Sequence, residues 1–402
     1  PSERIDLGLA EGLVADRLDV MTVGSDRWTY DDAHRLPAGA MIDAGHGEPC
    51  IGQPQLLATV GAVVLRIRDL NNVVHGCSSR CRTHAAGAAV RGLAQYRIVA
   101  DPLKGRSRMT NGVPLLADDS AARDALSGVR VVYTDLDGTI VAPGGSVLAD
   151  ADGSPSLVVA EQLVALKRAG LDVVPVSGRG RLQLREYTQL LGFDTFIAEA
   201  GGIIVHGTGL HAEIRVDHGL WPDDVMAEGE TPFAAINRVR AAEALIEAFP
   251  GRIEHYAPWQ MDREVSLLLR GCLNTSEGQA VLDTLPLPMD FVDNGMLRSY
   301  GTLTCRDMPP HAYHVVPRGV SKSRAIALDL AWRGLEPANA AAIGDSATDL
   351  EMADAVGAMV LVANAFDSVG VTDGLQATPR TNVWCTAGQR TEGWAEFARS
   401  WL

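Results

Sequence analysis

A chain of 402 residues is long enough for two or three domains. Its 47% hydrophobic and 21% charged residues are ordinary for a soluble globular protein, and a net charge of -15 argues against nucleic acid or an anionic membrane surface as a main partner. No apolar run reaches the roughly 18 residues of a membrane span, the start PSERIDLGLAEGL lacks the basic and apolar stretches of a secretory leader, and six cysteines are too few for a disulfide framework, so a reducing cytoplasm is the expected home.

Residues 1–125 read as a small, mostly β domain. The short runs AVVLRIR (62–68), VVH (73–75) and YRIV (96–99) alternate with Gly, Pro and Asn turns. ADDSAARDALSG (117–128) is expected to close that region as a short helix or linker. From residue 129 the rhythm changes to strand, helix, strand, helix. VRVVYT (129–134) predicts a strand buried on both faces. LVVAEQLVALKRAG (157–170) and RLQLREYTQLLG (181–192) predict helices that end on glycine, with the strand LDVVPV (171–176) between them. The same alternation returns in SKSRAIALDLAWRG (321–334), AAAIG (340–344), TDLEMADAVG (348–357) and MVLVAN (359–364).

Such alternation implies an open parallel sheet, whose ligands sit beyond the carboxyl ends of the strands. The stretch between has its own strand, VSLLLRG (265–271), and a helix expected over PFAAINRVRAAEALIEAF (232–249). The expected fold class is therefore α/β. A Rossmann-like core over 129–204 and 316–402 carries an inserted α/β cap over 205–315, and the mostly-β region over 1–125 precedes both.

Four segments carry chemistry. Asp135-Leu136-Asp137-Gly138-Thr139 follows a buried strand and places two carboxylates two residues apart. A carboxylate can attack phosphorus, and a divalent cation offsets the repulsion between neighbouring carboxylates. Ser177-Gly178-Arg179 ends the next strand, where a hydroxyl and backbone N–H groups can hold a phosphate oxygen. Lys322 opens a helix and can neutralise phosphate charge. Gly344-Asp345-Ser346-Ala347-Thr348-Asp349 supplies two further carboxylates to an oxygen-rich cation site.

In this order, DLDGT, VSGR, GVSKS and IGDSATD resemble the four successive signatures of haloacid dehalogenase (HAD) superfamily phosphatases. The resemblance implies a Mg2+-dependent phosphomonoester hydrolase. Asp135 would be the nucleophile and Asp137 the general acid and base, with Ser177, Gly178 and Lys322 binding the phosphoryl group. The metal would be held by Asp135, Asp345, the backbone carbonyl of Asp137 and, as ligand or support, Asp349. Thr348 stands where the family often has Asn. An insertion between the second and third signatures is similar to the caps of the sugar-phosphatase branch, which implies a sugar phosphate or similar small phosphorylated metabolite. A phosphomutase of the phosphomannomutase type would use the same residues. The partial match of Glu199-Ala200-Gly201-Gly202 to an E-N-G-A segment points to the same branch. Cap residues that could read the leaving group are Arg215, Arg238, Arg240, Arg263, Arg270 and His255.

The stretch 60–116 resembles a Rieske-type domain that lacks its cluster ligands, since a Cys–His pair is needed in each of two loops. The region is then expected to be a relic β scaffold used for contacts, with Cys50, Cys77, Cys81 and His84 binding no metal; a zinc site made of the four is the alternative. A redox or scaffold protein with a vestigial phosphatase half is the alternative from another functional class.

Overall fold

The computed structural model describes residues 109–207, 209–222 and 224–401. The Rieske-like region up to residue 108, with Cys50, Cys77, Cys81 and His84, lies outside the described residues.

The chain begins with β1 (Met109–Thr110), β2 (Val113–Pro114), α1 (Ser120–Leu126), β3 (Val131–Thr134), α2 (Val158–Arg168), β4 (Asp172–Pro175) and α3 (Arg181–Leu191). It continues through β5 (Thr195–Ala198), β6 (Ile203–His206), β7 (Glu213–Val216), α4 (Pro232–Arg238), α5 (Ala241–Ala248), β8 (Ile253–His255), β9 (Leu267–Gly271), α6 (Thr275–Leu282), β10 (Met289–Met296) and β11 (His311–Pro317). It ends with α7 (Lys322–Arg333), β12 (Ala340–Gly344), α8 (Ala347–Leu350), β13 (Ala358–Leu361), α9 (Val369–Ala377), β14 (Val383–Cys385) and α10 (Arg390–Arg399).

The central sheet has the order β14-β13-β12-β3-β4, and its strand pairs are parallel. Strand β3 shows why the sheet is covered on both sides. Val132 packs into one apolar core with Val159, Trp394 and Phe397, whereas Val131 and Tyr133 pack into the other with Ala325, Ile326 and Leu330. Successive side chains point to opposite faces, so a strand with no polar face needs helices on each. Helices α2 and α3 close on Gly170 and Gly192, both with positive φ (79° and 70°), as their sequences predict.

Residues 113–126, expected to finish the N-terminal region, pack on this sheet instead. Leu116, Ala122 and Leu126 enter one core and Val113 and Leu115 the other. Trp384 Nε1 donates to Asp119 at 3.0 Å, fixing the start of α1.

Beyond β4, the hairpin strands β5, β6 and β7 form an antiparallel sheet of their own. The cap boundary expected at residue 205 falls inside β6. A separate antiparallel sheet, β10-β11-β9-β8, packs its apolar face on α4, α5 and α6 through Ile236, Leu245, Leu282, Leu267, Phe291 and Tyr313. The single helix expected over 232–249 is two. Arg240 adopts φ 59°, a left-handed conformation that a helix interior excludes, and the bend lets Ile236 and Leu245 share one core. The helix expected over 348–357 is also shorter, since α8 gives way to a 3-10 turn at Glu351–Asp354. Among the described residues, Cys272 and Cys305 are joined by a disulfide and pack with Leu303. Among the described residues, no helix is long and apolar enough to cross a membrane.

Candidate active site

The carboxyl ends of β3, β4 and β12 and the start of α7 bring the predicted segments together. The backbone N–H of Asp135 donates to Ile343 O at 2.9 Å, one residue past the end of β3, so the β3–β12 ladder continues to the residue that matters. The Asp135 side chain is then directed out of the sheet edge, yet stays buried.

Lys322, the first residue of α7, is 4% exposed. Ser321 caps that helix by accepting from Arg324 N at 3.1 Å, which fixes where Lys322 emerges. Its Nζ donates to Asp135 Oδ1 at 2.7 Å and to Asp349 Oδ1 at 2.6 Å. The other oxygen of Asp349 accepts from the backbone N–H of Asp345 (3.1 Å), the N–H of Ser346 (2.9 Å) and the Ser346 hydroxyl (2.6 Å). Asp349 is thereby fully engaged in shaping the loop after β12.

Asp345 accepts from Thr139 Oγ1 at 3.1 Å and from Asn364 Nδ2 at 3.0 Å. Asn364 also donates to Gly138 O at 3.0 Å, tying the first loop to the last. Gly138 has φ 93°, and a methyl group there would run into the Asp345 carboxylate. Only glycine lets these two loops close to this distance. Gly138→Ala is expected to lower kcat/KM at least about hundredfold, because a misplacement of the order of 1 Å has that effect on a reacting constellation. Steady-state kinetics with an aryl phosphate would check it.

Asp135, Asp345 and Asp349 each offer one oxygen within 4.8 Å of the others. Burial, reinforced by the charge of Asp349, pushes the Asp135 carboxyl well above its ordinary range despite Lys322. Burial and the same neighbour push Asp345 up to about 7. Burial alone would lower the Lys322 ammonium, but the charges of Asp135 and Asp349 outweigh it and raise it. One ammonium cannot balance two buried carboxylates and a partly buried one, so the pocket favours a further cation. An all-oxygen donor set suits a hard divalent ion.

The remaining predicted residues lie at the mouth. Ser177 is 3% exposed; its N–H donates to Ile197 O at 2.9 Å, and its hydroxyl accepts from Arg179 N at 3.3 Å. The Asp137 carboxylate is not in the acidic cluster. It turns outward to form a two-pronged pair with Arg179, at 2.6 and 2.9 Å, and Arg179 lies over the Tyr187 ring. Only the main chain of Asp137 remains to face the cluster.

Three residues that the sequence did not single out as site members help build it: Thr139, Arg179 and Asn364. The first two adjoin predicted residues. Asn364 follows β13 and carries no local signal. Of the six cap candidates, Arg263 reaches the site, donating to Gly178 O at 3.1 Å. Arg238 pairs with Glu230 and Arg270 with Glu254, Arg240 lies 3.6 Å from Glu247, and Arg215 lies over Trp332. His255 stands exposed on β8.

A parallel α/β sheet whose carboxyl edge carries this constellation is the arrangement of a phosphatase, and the chain resembles the haloacid dehalogenase superfamily. A family model described as haloacid dehalogenase-like hydrolase matches residues 290–370. Two archaeal relatives are named phosphoglycolate phosphatase. The protein of Methanoculleus marisnigri is 26% identical over 238 residues, covering 59% of this chain and 85% of its own. That of Methanospirillum hungatei is 25% identical over 280 residues, covering 68% and 97%. Among solved structures, the sucrose-phosphatase of a Synechocystis species, in complex with sucrose and phosphate, aligns over 68% of this chain and 97% of its own, with 15% identity and a TM-score of 0.46.

Proposed function

We propose that this protein is a Mg2+-dependent phosphomonoesterase that hydrolyses a sugar phosphate or similar small phosphorylated metabolite through an aspartyl phosphate on Asp135. The observation that carries this reading is the wedge of Lys322 between Asp135 and Asp349, with Asp345 completing the acidic triad. Lys322 holds one oxygen of Asp135, which leaves the other to attack phosphorus. The attack forms the Asp135–phosphorus bond and breaks the ester bond to the leaving oxygen. Asp137 gives that oxygen a proton, then takes one from the water that cleaves the aspartyl phosphate and restores Asp135. To do so it must part from Arg179, which the arriving phosphoryl oxygens are suited to attract.

Ser177, the N–H groups around Gly178, and Lys322 hold the phosphoryl oxygens. Asp135, Asp345 and the Asp137 carbonyl are the residues that would hold Mg2+, with Asp349 supporting from behind, one oxygen on Lys322 and the other on three donors of the loop after β12. When bound, the ion neutralises charge that builds on the phosphoryl group and aligns it with Asp135. The likeness to phosphoglycolate phosphatases over 85–97% of their length supports phosphoglycolate as a competing candidate substrate, against which the cap contacts described below weigh. The cytoplasm is the proposed compartment, where such metabolites are found.

Release of inorganic phosphate from an aryl phosphate and from a panel of phosphorylated metabolites tests the reading. Turnover is expected with added Mg2+ and is expected to fall to background in excess EDTA. Full activity in chelator would remove the metal role, and an isomerised sugar phosphate without free phosphate would point to a mutase.

A further inference from the structure

The cap sheet faces Ser177 and Gly178 with a buried polar group that no other side chain explains. His314, on β11, is 1% exposed. Its Nδ1 lies 3.2 Å from Ser266 Oγ. The proton on that hydroxyl has another destination. Ser266 Oγ stands 3.1 Å from the Glu199 carboxylate, which also accepts from the N–H groups of Glu264, Val265 and Ser266. Two oxygens at that distance need a proton between them, and Ser266 has the only one. Arg263 Nη1 donates to the same hydroxyl at 2.6 Å. Ser266 therefore accepts from His314, and the imidazole proton sits on Nδ1. Nε2 is left as a lone pair.

That lone pair has no hydrogen-bond partner among the described residues, and it is aimed at the phosphoryl loop. A methyl group built on Gly178 would sit 2.7 Å from His314 Nε2 and 2.7 Å from Asn294 Nδ2. The Asn294 amide likewise has no partner among the described residues. Glycine at 178 keeps these two groups against the loop that would hold the transferring phosphoryl group.

The cations nearby are already committed. Arg263 donates to Trp259 O at 3.0 Å as well as to Ser266 and Gly178, Arg179 pairs with Asp137, and Arg181 pairs with Glu264. Burial, then the charges of Arg263 and Lys322, hold the His314 imidazole well below its usual range, in keeping with a neutral ring.

We infer that His314 Nε2 and Asn294 select the leaving group, accepting phosphomonoesters with a hydroxyl or N–H donor close to the ester oxygen and disfavouring those with a carboxylate there. A hydroxyl can donate to the Nε2 lone pair and accept from Asn294 Nδ2, whereas a carboxylate finds the Asn294 donor but meets the imidazole lone pair. This deepens the proposed function and rests on Ser177 and Gly178 holding the phosphoryl group.

The test compares 2-hydroxyethyl phosphate with phosphoglycolate, which match in size and differ in a hydroxymethyl against a carboxylate, with an aryl phosphate alongside. In the full chain with Mg2+, kcat/KM is expected to favour the hydroxyl substrate by at least about tenfold. His314→Leu is expected to bring the ratio within about threefold of unity, and His314→Gln, which keeps an acceptor, to preserve part of it. Asn294→Ala, at a half-buried position, removes the amide donor open to a carboxylate and is expected to hold or widen the ratio; it serves if His314→Leu does not fold, and a narrowed ratio then overturns the inference. A preference of the parent enzyme for phosphoglycolate overturns the inference while leaving the phosphatase reading in place. So does an unchanged ratio in a His314→Leu enzyme that still turns over the aryl phosphate. No Mg2+-dependent phosphate release from any of the three defeats both.

Discussion

Asp135→Asn is expected to lower phosphate release by about 10^4-fold or more, the scale of loss when an enzyme is deprived of its nucleophile. Asparagine keeps the shape of the side chain and an oxygen that can accept from Lys322 Nζ, now 2.7 Å away. It lacks the charge and the lone pair that would bond phosphorus. The fold should not suffer. Asp135 shares a buried pocket with Asp345 and Asp349, and burial with the charge of Asp349 already disfavours its ionised form. Removing one of three like charges leaves the ammonium better balanced against the two that remain. The variant should therefore melt no lower than the parent in EDTA, and should gain less from added Mg2+, because one ligand is weakened. Phosphate release and thermal melting with and without Mg2+ check both halves. Near-normal turnover would mean that another group attacks phosphorus.

The parts of this arrangement that were legible in the sequence are those whose signals are local. A run such as VRVVYT can be satisfied only by a strand covered on both faces, and the next residue then leaves the sheet at its carboxyl edge. Asp135, Ser177 and Asp345 all sit at such exits, and Lys322 sits at a capped helix start. Their placement follows from chain direction alone. The cap reads differently. Glu199 meets residues 264–266 across some sixty-five positions, and His314 meets Ser266 across forty-eight. Nothing near any of them marks the partner. A charged or polar residue in a cap strand looks like surface until the opposing strand is in place, which is why Arg263 could not be separated from Arg238 or Arg270 beforehand. The bend at Arg240 is hidden for a related reason. Residues 232–249 have continuous helical spacing, and only the demand that both halves bury Ile236 and Leu245 in one core turns the chain there.

Lys322→Met is expected to damage stability and catalysis together, in contrast to the loss of Asp135. The ammonium is 4% exposed and lies 2.7 and 2.6 Å from two buried carboxylates. Methionine fills the space but leaves Asp135 and Asp349 facing one another without a counter-charge. Breaking a buried pair in this way typically costs about 3–5 kcal/mol, because a charge remains desolvated and unpaired. For a chain of this size that corresponds to a fall in Tm of roughly 10 °C. Loss of a cation from the phosphoryl site should also reduce kcat/KM on the order of 10^3-fold. A second substitution separates the two effects. In a Lys322→Met, Asp349→Asn protein the repulsion between positions 135 and 349 is gone, while the amide oxygen can still accept from Asp345 N, Ser346 N and the Ser346 hydroxyl. The double variant should therefore recover at least about half of the lost Tm and none of the lost turnover, a coupling that a double-mutant cycle reads directly. Recovery of both would mean that Lys322 serves the fold alone. Recovery of neither would mean that it does not act by holding Asp135 and Asp349 together, and the pocket would then need another source of positive charge to exist without metal.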